Sequence, residues 1–139
     1  MEFNNINSFN PSSCISGKVK RINRLTANVF RKHLAPYGIT DSQLTLMFIL
    51  SKRKSSTQKD LGEMAFLEKS SLSRNLDRLI ERKLLKKTSL HHLEITTDGL
   101  YFVENIIPIW EKAMLEIRGI IGSEGEDSLN AVFNSLAKK

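Results

Sequence analysis

The run Ser70-Ser71-Leu72-Ser73-Arg74-Asn75-Leu76-Asp77-Arg78 brings small hydroxyls, an amide and two guanidinium groups together, interrupted by leucines at helical spacing. Leu72, Leu76, Leu79 and Ile80 fall on one side of the helix that this spacing predicts. Ser70, Ser71, Arg74, Asn75 and Arg78 fall on the other, with Ser73 in the same run. The chemistry on offer is nucleic-acid recognition. Small hydroxyls let a backbone approach a groove wall and bond phosphate or base, the planar fork of Arg74 matches a guanine edge, and Asn75 suits adenine. A merely solvated charged face is the ordinary alternative for such a run, so its setting must decide.

The setting is three helices and a basic strand. A first short helix opens at Thr40-Asp41-Ser42-Gln43, where Thr40 caps the free amides and Gln43 reaches back to close a capping box. A second opens at Thr57, with Asp60 three residues on, where a carboxylate suits the positive helix end. Phe66-Leu67-Glu68 connects it to the third, expected from about Lys69 to Arg82, and a strand carrying Lys86 and Lys87 follows. That is the spacing of a helix-turn-helix with its reading helix second. Ser70, Ser71, Ser73, Arg74, Asn75, Arg78, Lys86 and Lys87 are therefore the expected DNA-binding residues.

With these residues in order, the chain from Arg21 to Gly99 resembles the MarR family of winged helix-turn-helix transcription regulators. The resemblance is carried by Leu34-Ala35-Pro36-Tyr37-Gly38-Ile39-Thr40 leading to Gln43-Leu44, then Thr57-Gln58-Lys59-Asp60-Leu61, then Ser70 to Leu76 with Leu79. Leu93-Glu94-Ile95-Thr96-Thr97-Asp98-Gly99 is similar to the family's entry into a long helix. The chain departs from the family in two places. Members usually carry a longer wing with an Asp-x-Arg element, whereas only Thr88-Ser89-Leu90-His91-His92 separates Lys87 from Leu93, with no arginine. Lys83 stands where a left-handed glycine commonly follows the reading helix, at a cost of about 1 kcal/mol or more if that geometry is kept.

The outer segments are apolar in stripes. A helix from about Ser12 to Leu34 aligns Ile15, Val19, Ile22, Leu25, Val29 and Phe30. Residues 97 to 121 form a long helix with Leu100, Val103, Ile106, Ile107, Trp110, Leu115 and Ile117, in which Pro108 should introduce a kink. A final helix is expected near Ser123, where Glu126 completes a capping-box pattern and Leu129, Val132, Phe133 and Leu136 face one way. The resemblance implies that these helices pair two copies across a two-fold axis, which spaces the reading helices for an inverted repeat. Intramolecular core is an equal reading for the middle of the long helix. The expected architecture is thus mainly α: one winged-helix domain over 1–139, with a mobile arm over 1–11, dimerisation helices over 12–35 and 97–139, and a DNA-binding part over 40–96.

Composition agrees. A chain of 139 residues, 40% hydrophobic and 26% charged, suits one globular domain. The net charge of +6 is uneven: residues 1–50 and 51–100 each contribute +4 and residues 101–139 contribute −2. A positive field over the first two thirds attracts polyanions without selecting a sequence. No secretory pattern or stretch of ~20 apolar residues is visible, and one cysteine allows no internal disulfide, so a cytoplasmic protein without a membrane segment is expected. No phosphate loop, nucleophile–base spacing or metal-ligand set stands out, so neither an enzyme nor a cofactor is expected.

Cys14 opens the first helix, where oxidation-sensing branches of the resembled family carry a reactive thiol. Only Tyr37 and Tyr101 are available as partners and neither matches the activating positions, so a small buried side chain at a dimer seam is preferred. The reading taken from the sequence is a DNA-binding regulator, a repressor rather than an activator by resemblance, released by a small apolar or aromatic effector. A protein-binding winged helix and a thiol-based sensor are the alternatives.

Overall fold

The computed structural model describes residues 2–89 and 91–138. Met1 and Lys139, the ends of the expected domain, and Leu90 of the expected wing lie outside the described residues. The elements run α1 (Asn4–Ser8), α2 (Ile15–Leu34), α3 (Asp41–Arg53), β1 (Ser55–Thr57), α4 (Gln58–Ala65), α5 (Lys69–Glu81), β2 (Leu85–Ser89), β3 (His92–Ile95) and α6 (Thr97–Ala137). Among the described residues, six α-helices and a three-stranded antiparallel sheet in the order β1-β3-β2 make a winged helix flanked by α2 and α6.

Helix starts follow the local chemistry. The Thr40 hydroxyl accepts from the Gln43 amide at 3.2 Å while the Gln43 side chain accepts from the Thr40 amide at 3.1 Å, closing the box at the head of α3. Thr57 caps α4 through the Asp60 amide at 3.1 Å. The first long helix begins at Ile15 rather than Ser12. Asn10 caps a separate 3-10 turn, Pro11–Ser13, and the extended backbone of Cys14 keeps the two apart. The segment expected as a mobile arm contains α1, none of whose residues is buried.

Helix ends carry the surprises. Lys83 does take the left-handed conformation (φ 62°), and its amide bonds Ile80 O at 2.9 Å while the Leu84 amide bonds Leu79 O at 3.0 Å. That is a Schellman ending built on a lysine. Phe66 ends α4 in the same geometry (φ 55°). α6 is two helical stretches meeting at Gly122 (φ 70°), next to the expected start of the final helix at Ser123, and Pro108 sits inside the first of them. The capping box expected at Ser123 is not formed. Glu126 instead accepts from Nε of Arg118 at 3.1 Å.

The core lies between α3, α5, the sheet and the first half of α6. Leu44, Met47 and Leu50 of α3 meet Leu72, Leu76 and Leu79 of α5, Leu85 and Leu93 of the wing base, and Val103 and Ile106 of α6. Phe48 meets Trp110 edge to face at 5.4 Å, which fixes α3 against α6. The Lys32 ammonium lies 2.7 Å from both oxygens of Glu116 and His33 Nε2 lies 3.0 Å from one, linking α2 to α6. The hydrogen bonds from Lys32 and then His33 hold the Glu116 carboxyl below its ordinary value. Among the described residues, no helix is long and apolar enough to cross a membrane.

Candidate nucleic-acid interface

Helix α5 presents its buried side through Leu72, Leu76 and Leu79. The close packing that seats it against α4 requires Gly62: a methyl there would stand 2.8 Å from Cδ2 of Leu72. On the opposite side Ser70, Ser73, Arg74 and Arg78 are exposed, and Ser71 is half-buried with its hydroxyl 3.5 Å from Nη2 of Arg74. These five therefore form one continuous polar surface at the start and middle of the helix. Asp77 shares the exposed side, a carboxylate among the cations.

Asn75 behaves differently from its neighbours. It is half-buried, and its Oδ1 accepts from Nε2 of Gln43 at 3.4 Å, so it is turned toward α3. Its amide nitrogen keeps both donors for a further contact.

The wing is short. β3 lies between β1 and β2, pairing Ser55 with Glu94 and Thr57 with His92 on one edge, and Leu85 with Ile95 and Lys87 with Leu93 on the other. The β2–β3 register shifts by one residue between Lys87 and Ser89. Lys86 and Lys87 are both exposed, but Lys86 lies 3.8 Å from Glu94 across the strand pair and so shares its charge. The Gln58 amide donates to His91 O at 2.9 Å, tying the wing to the head of α4. His92 Nδ1 lies 3.2 Å from the Ser89 hydroxyl.

Two supporting devices were not visible in the sequence as parts of this surface. Arg82, one residue beyond α5, donates to Gly38 O at 2.6 Å and to Tyr37 O at 3.4 Å, with its guanidinium 5.4 Å from the Phe102 ring centroid. The Thr96 hydroxyl accepts the Gly99 amide at 2.9 Å and lies 2.7 Å from Lys83 O, joining the end of the reading helix to the head of α6. The signals that could have flagged them are the Thr-x-x-Gly start of α6 and an arginine at a helix end, neither of which names its partner.

A cleft of about 430 Å³ opens between α2 and α3, lined by Asn23, Ala27, Arg31, Ala35 and residues 38 to 42. Asp41 lines it; although the residue as a whole is exposed, desolvation pushes its carboxyl above the ordinary value. Cys14 is exposed within the single chain, where a side chain destined for a dimer seam would also be exposed. Among the described residues, no three His, Cys, Asp or Glu side chains gather as metal donors.

Residues 37–92 match the model of the MarR family. No curated protein matches the sequence. Among solved structures, the chain is similar to Bordetella bronchiseptica BpsR, whose DNA binding is regulated by 6-hydroxynicotinic acid, at 16% identity and TM-score 0.86 over 94% of this chain and 98% of that one. It is similar to NadR in complex with 4-hydroxyphenylacetate at 24% identity and TM-score 0.78 over 90% and 96%. It is also similar to the transcriptional repressor CouR bound to p-coumaroyl-CoA, at 18% identity and TM-score 0.83 over 92% and 94%. At these identities the likeness establishes the fold.

Proposed function

From the match of residues 37–92 to the MarR family model, we propose that this chain is a MarR-family protein and a cytoplasmic DNA-binding transcription regulator, a repressor, acting as a homodimer on an inverted-repeat operator. The observation that carries this reading is the exposed surface of α5, where Ser70, Ser73, Arg74 and Arg78 stand clear of the core on a helix-turn-helix. Arg74 reads a base edge, while Arg78, Lys86 and Lys87 hold phosphates and Ser70, Ser71 and Ser73 allow close approach. Asn75 contributes through its amide nitrogen.

The second copy answers a question of exposed surface. Ile15, Val19, Ile22 and Leu25 of α2 are 48% to 79% exposed, and Leu129, Val132, Phe133 and Leu136 of α6 are 50% to 68% exposed. Covering what remains of such side chains contributes about 1 kcal/mol each, or about 16 kcal/mol over two copies, against about 4 to 15 kcal/mol of lost freedom. The basic first half and acidic last third of the chain give the two stripes complementary charge.

The α2–α3 cleft supports release by a small aromatic or apolar effector, because it abuts the corner that holds α5. No catalytic or cofactor role is proposed. Selection of duplexes from a random pool by the purified protein tests the reading: a shared inverted repeat is expected, on sedimenting particles of twice 15.8 kDa. A monomer, or a pool without consensus, refutes it. The alternative reading, an oxidant sensor through Cys14, requires peroxide to release wild type but not Cys14→Ser from the selected duplex.

A further inference from the structure

The leucines that bury α5 grip it without direction, since apolar packing fixes depth better than it fixes rotation or sliding. Directional contacts must set the last degree of freedom. Among the described residues, two side-chain hydrogen-bonded links join the segment 69–82 to other elements, both running to one corner, residues 37 to 43, while the Thr96 bond to Lys83 O lies just beyond the segment. One is Gln43 to Asn75. Gln43 is 5% exposed and is itself fixed by the Thr40 capping box. The other is Arg82, whose two donors reach Gly38 O and Tyr37 O while its plane lies near Phe102 of α6.

Asn75 and Arg82 are seven residues apart, two helical turns, and so lie on one face, about 10 Å apart along the axis. Two directional ties at that separation on one face define both the rotation and the axial position of a rod. We propose that Arg82 is a positioning residue for sequence recognition: it fixes the angle at which Arg74 meets the groove and makes no contact with DNA itself. This rests on the DNA-binding reading above. It assigns Arg82 a role opposite to that of a surface cation near polyanion, because its charge is directed at backbone carbonyls.

The two roles separate by salt dependence. Removing a cation that pairs with phosphate lowers the slope of log K against log salt by about 1 and weakens all duplexes alike. Removing a tie that only orients the helix weakens the operator and leaves slope and scrambled DNA nearly untouched. Anisotropy titrations of the intact dimer on the selected operator and a scrambled duplex, at several salt concentrations, should show Arg82→Ala losing about 10-fold or more on the operator. The loss on scrambled DNA should be under about 3-fold, with the slope unchanged. Arg82→Lys should restore scrambled binding fully and operator binding only in part, because one ammonium cannot replace a fork stacked on a ring. Phe102→Leu, which leaves both hydrogen bonds, should lower the operator-to-scrambled ratio in the same direction by less.

A variant that unfolds is identified by its circular dichroism, and Arg82→Lys and Phe102→Leu then carry the test. Equal losses on both duplexes with a reduced slope would make Arg82 a phosphate contact and overturn the proposal. So would a folded Arg82→Ala with an unchanged operator-to-scrambled ratio. Wild type that binds neither duplex would overturn the DNA-binding reading and this inference together, whereas normal wild-type binding with unaffected variants overturns the inference alone.

Discussion

Replacing Gly99 by alanine tests how the reading unit is joined to α6. Gly99 lies in the first turn of α6, and its amide is held by the Thr96 hydroxyl at 2.9 Å. A methyl placed there would collide with Leu84 O and stand 2.6 Å from Cγ1 of Ile95. Leu84 O is also the acceptor for the Thr96 amide at 3.1 Å, so it cannot retreat without loosening the cap. Relief must come from α6 backing away. Overpacking of this kind costs about 1 to 3 kcal/mol, and a weakened hydrogen bond adds about 1 kcal/mol. Alanine returns at most about 1 kcal/mol of helix propensity. The net expectation is a loss of about 1 to 4 kcal/mol, which in a chain of this size lowers Tm by about 3 to 16 °C. The measurement is the urea midpoint by circular dichroism, with Gly119→Ala as control, since an added methyl meets nothing within 4 Å there in the same helix. Gly119→Ala should raise stability by up to about 1 kcal/mol. If the two substitutions shift the midpoint alike, the close-approach argument is wrong.

Three further outcomes are expected. Lys83→Gly relieves the left-handed backbone at φ 62° and should add about 1 kcal/mol to unfolding stability, visible as a raised midpoint at unchanged m; no gain would mean that the Schellman ending is not strained. Arg74→Ala should cost about 1 to 3 kcal/mol on the operator and less on scrambled duplex, while Lys87→Ala should weaken both equally and cut the salt slope by about 1; equal losses for Arg74→Ala would demote it to a backbone contact. The Glu116 carboxyl is held below its ordinary value in the folded chain, so its contribution to stability is full above the unfolded glutamate pKa and fades as pH falls through the folded one. Glu116→Gln should therefore lose stability at neutral pH and show a shallower acid decline than wild type, a difference read from thermal melts between pH 3 and about 7.

What could be read from the sequence was what is written locally. The caps at Thr40 and Thr57 lie three residues from their partners, and Leu72, Leu76 and Leu79 repeat at the helical period, so the helix-turn-helix and its exposed side followed directly. Lys83 was legible as a departure, and the structure keeps the strained geometry. The turn of Asn75 toward α3 depends on Gln43, 32 residues away, and the grip of Arg82 on Gly38 spans 44 residues. Neither carries a pattern in the chain. At Ser123 the expected helix start is met by the break at Gly122, but the capping box is not formed and Arg118 holds the Glu126 carboxylate instead. Pro108 lies inside the helix, and the break falls at Gly122, where glycine reaches a positive φ without strain.

The junction at Thr96 also has a mechanical meaning. β3 is clamped by a strand on each side and passes through this single residue into α6, so wing, reading helix and the first turns of α6 have no free pivot between them. From Thr97 to the break at Gly122 the helix is a stiff lever about 37 Å long. A tilt of about 5° around its far end swings the near end by about 3 Å, roughly the length of a hydrogen bond. In a paired molecule, a rotation too small to disturb any core contact is therefore enough to carry a guanidinium out of reach of its base, and the stiffness of one helix sets how finely the protein measures the distance between two half-sites.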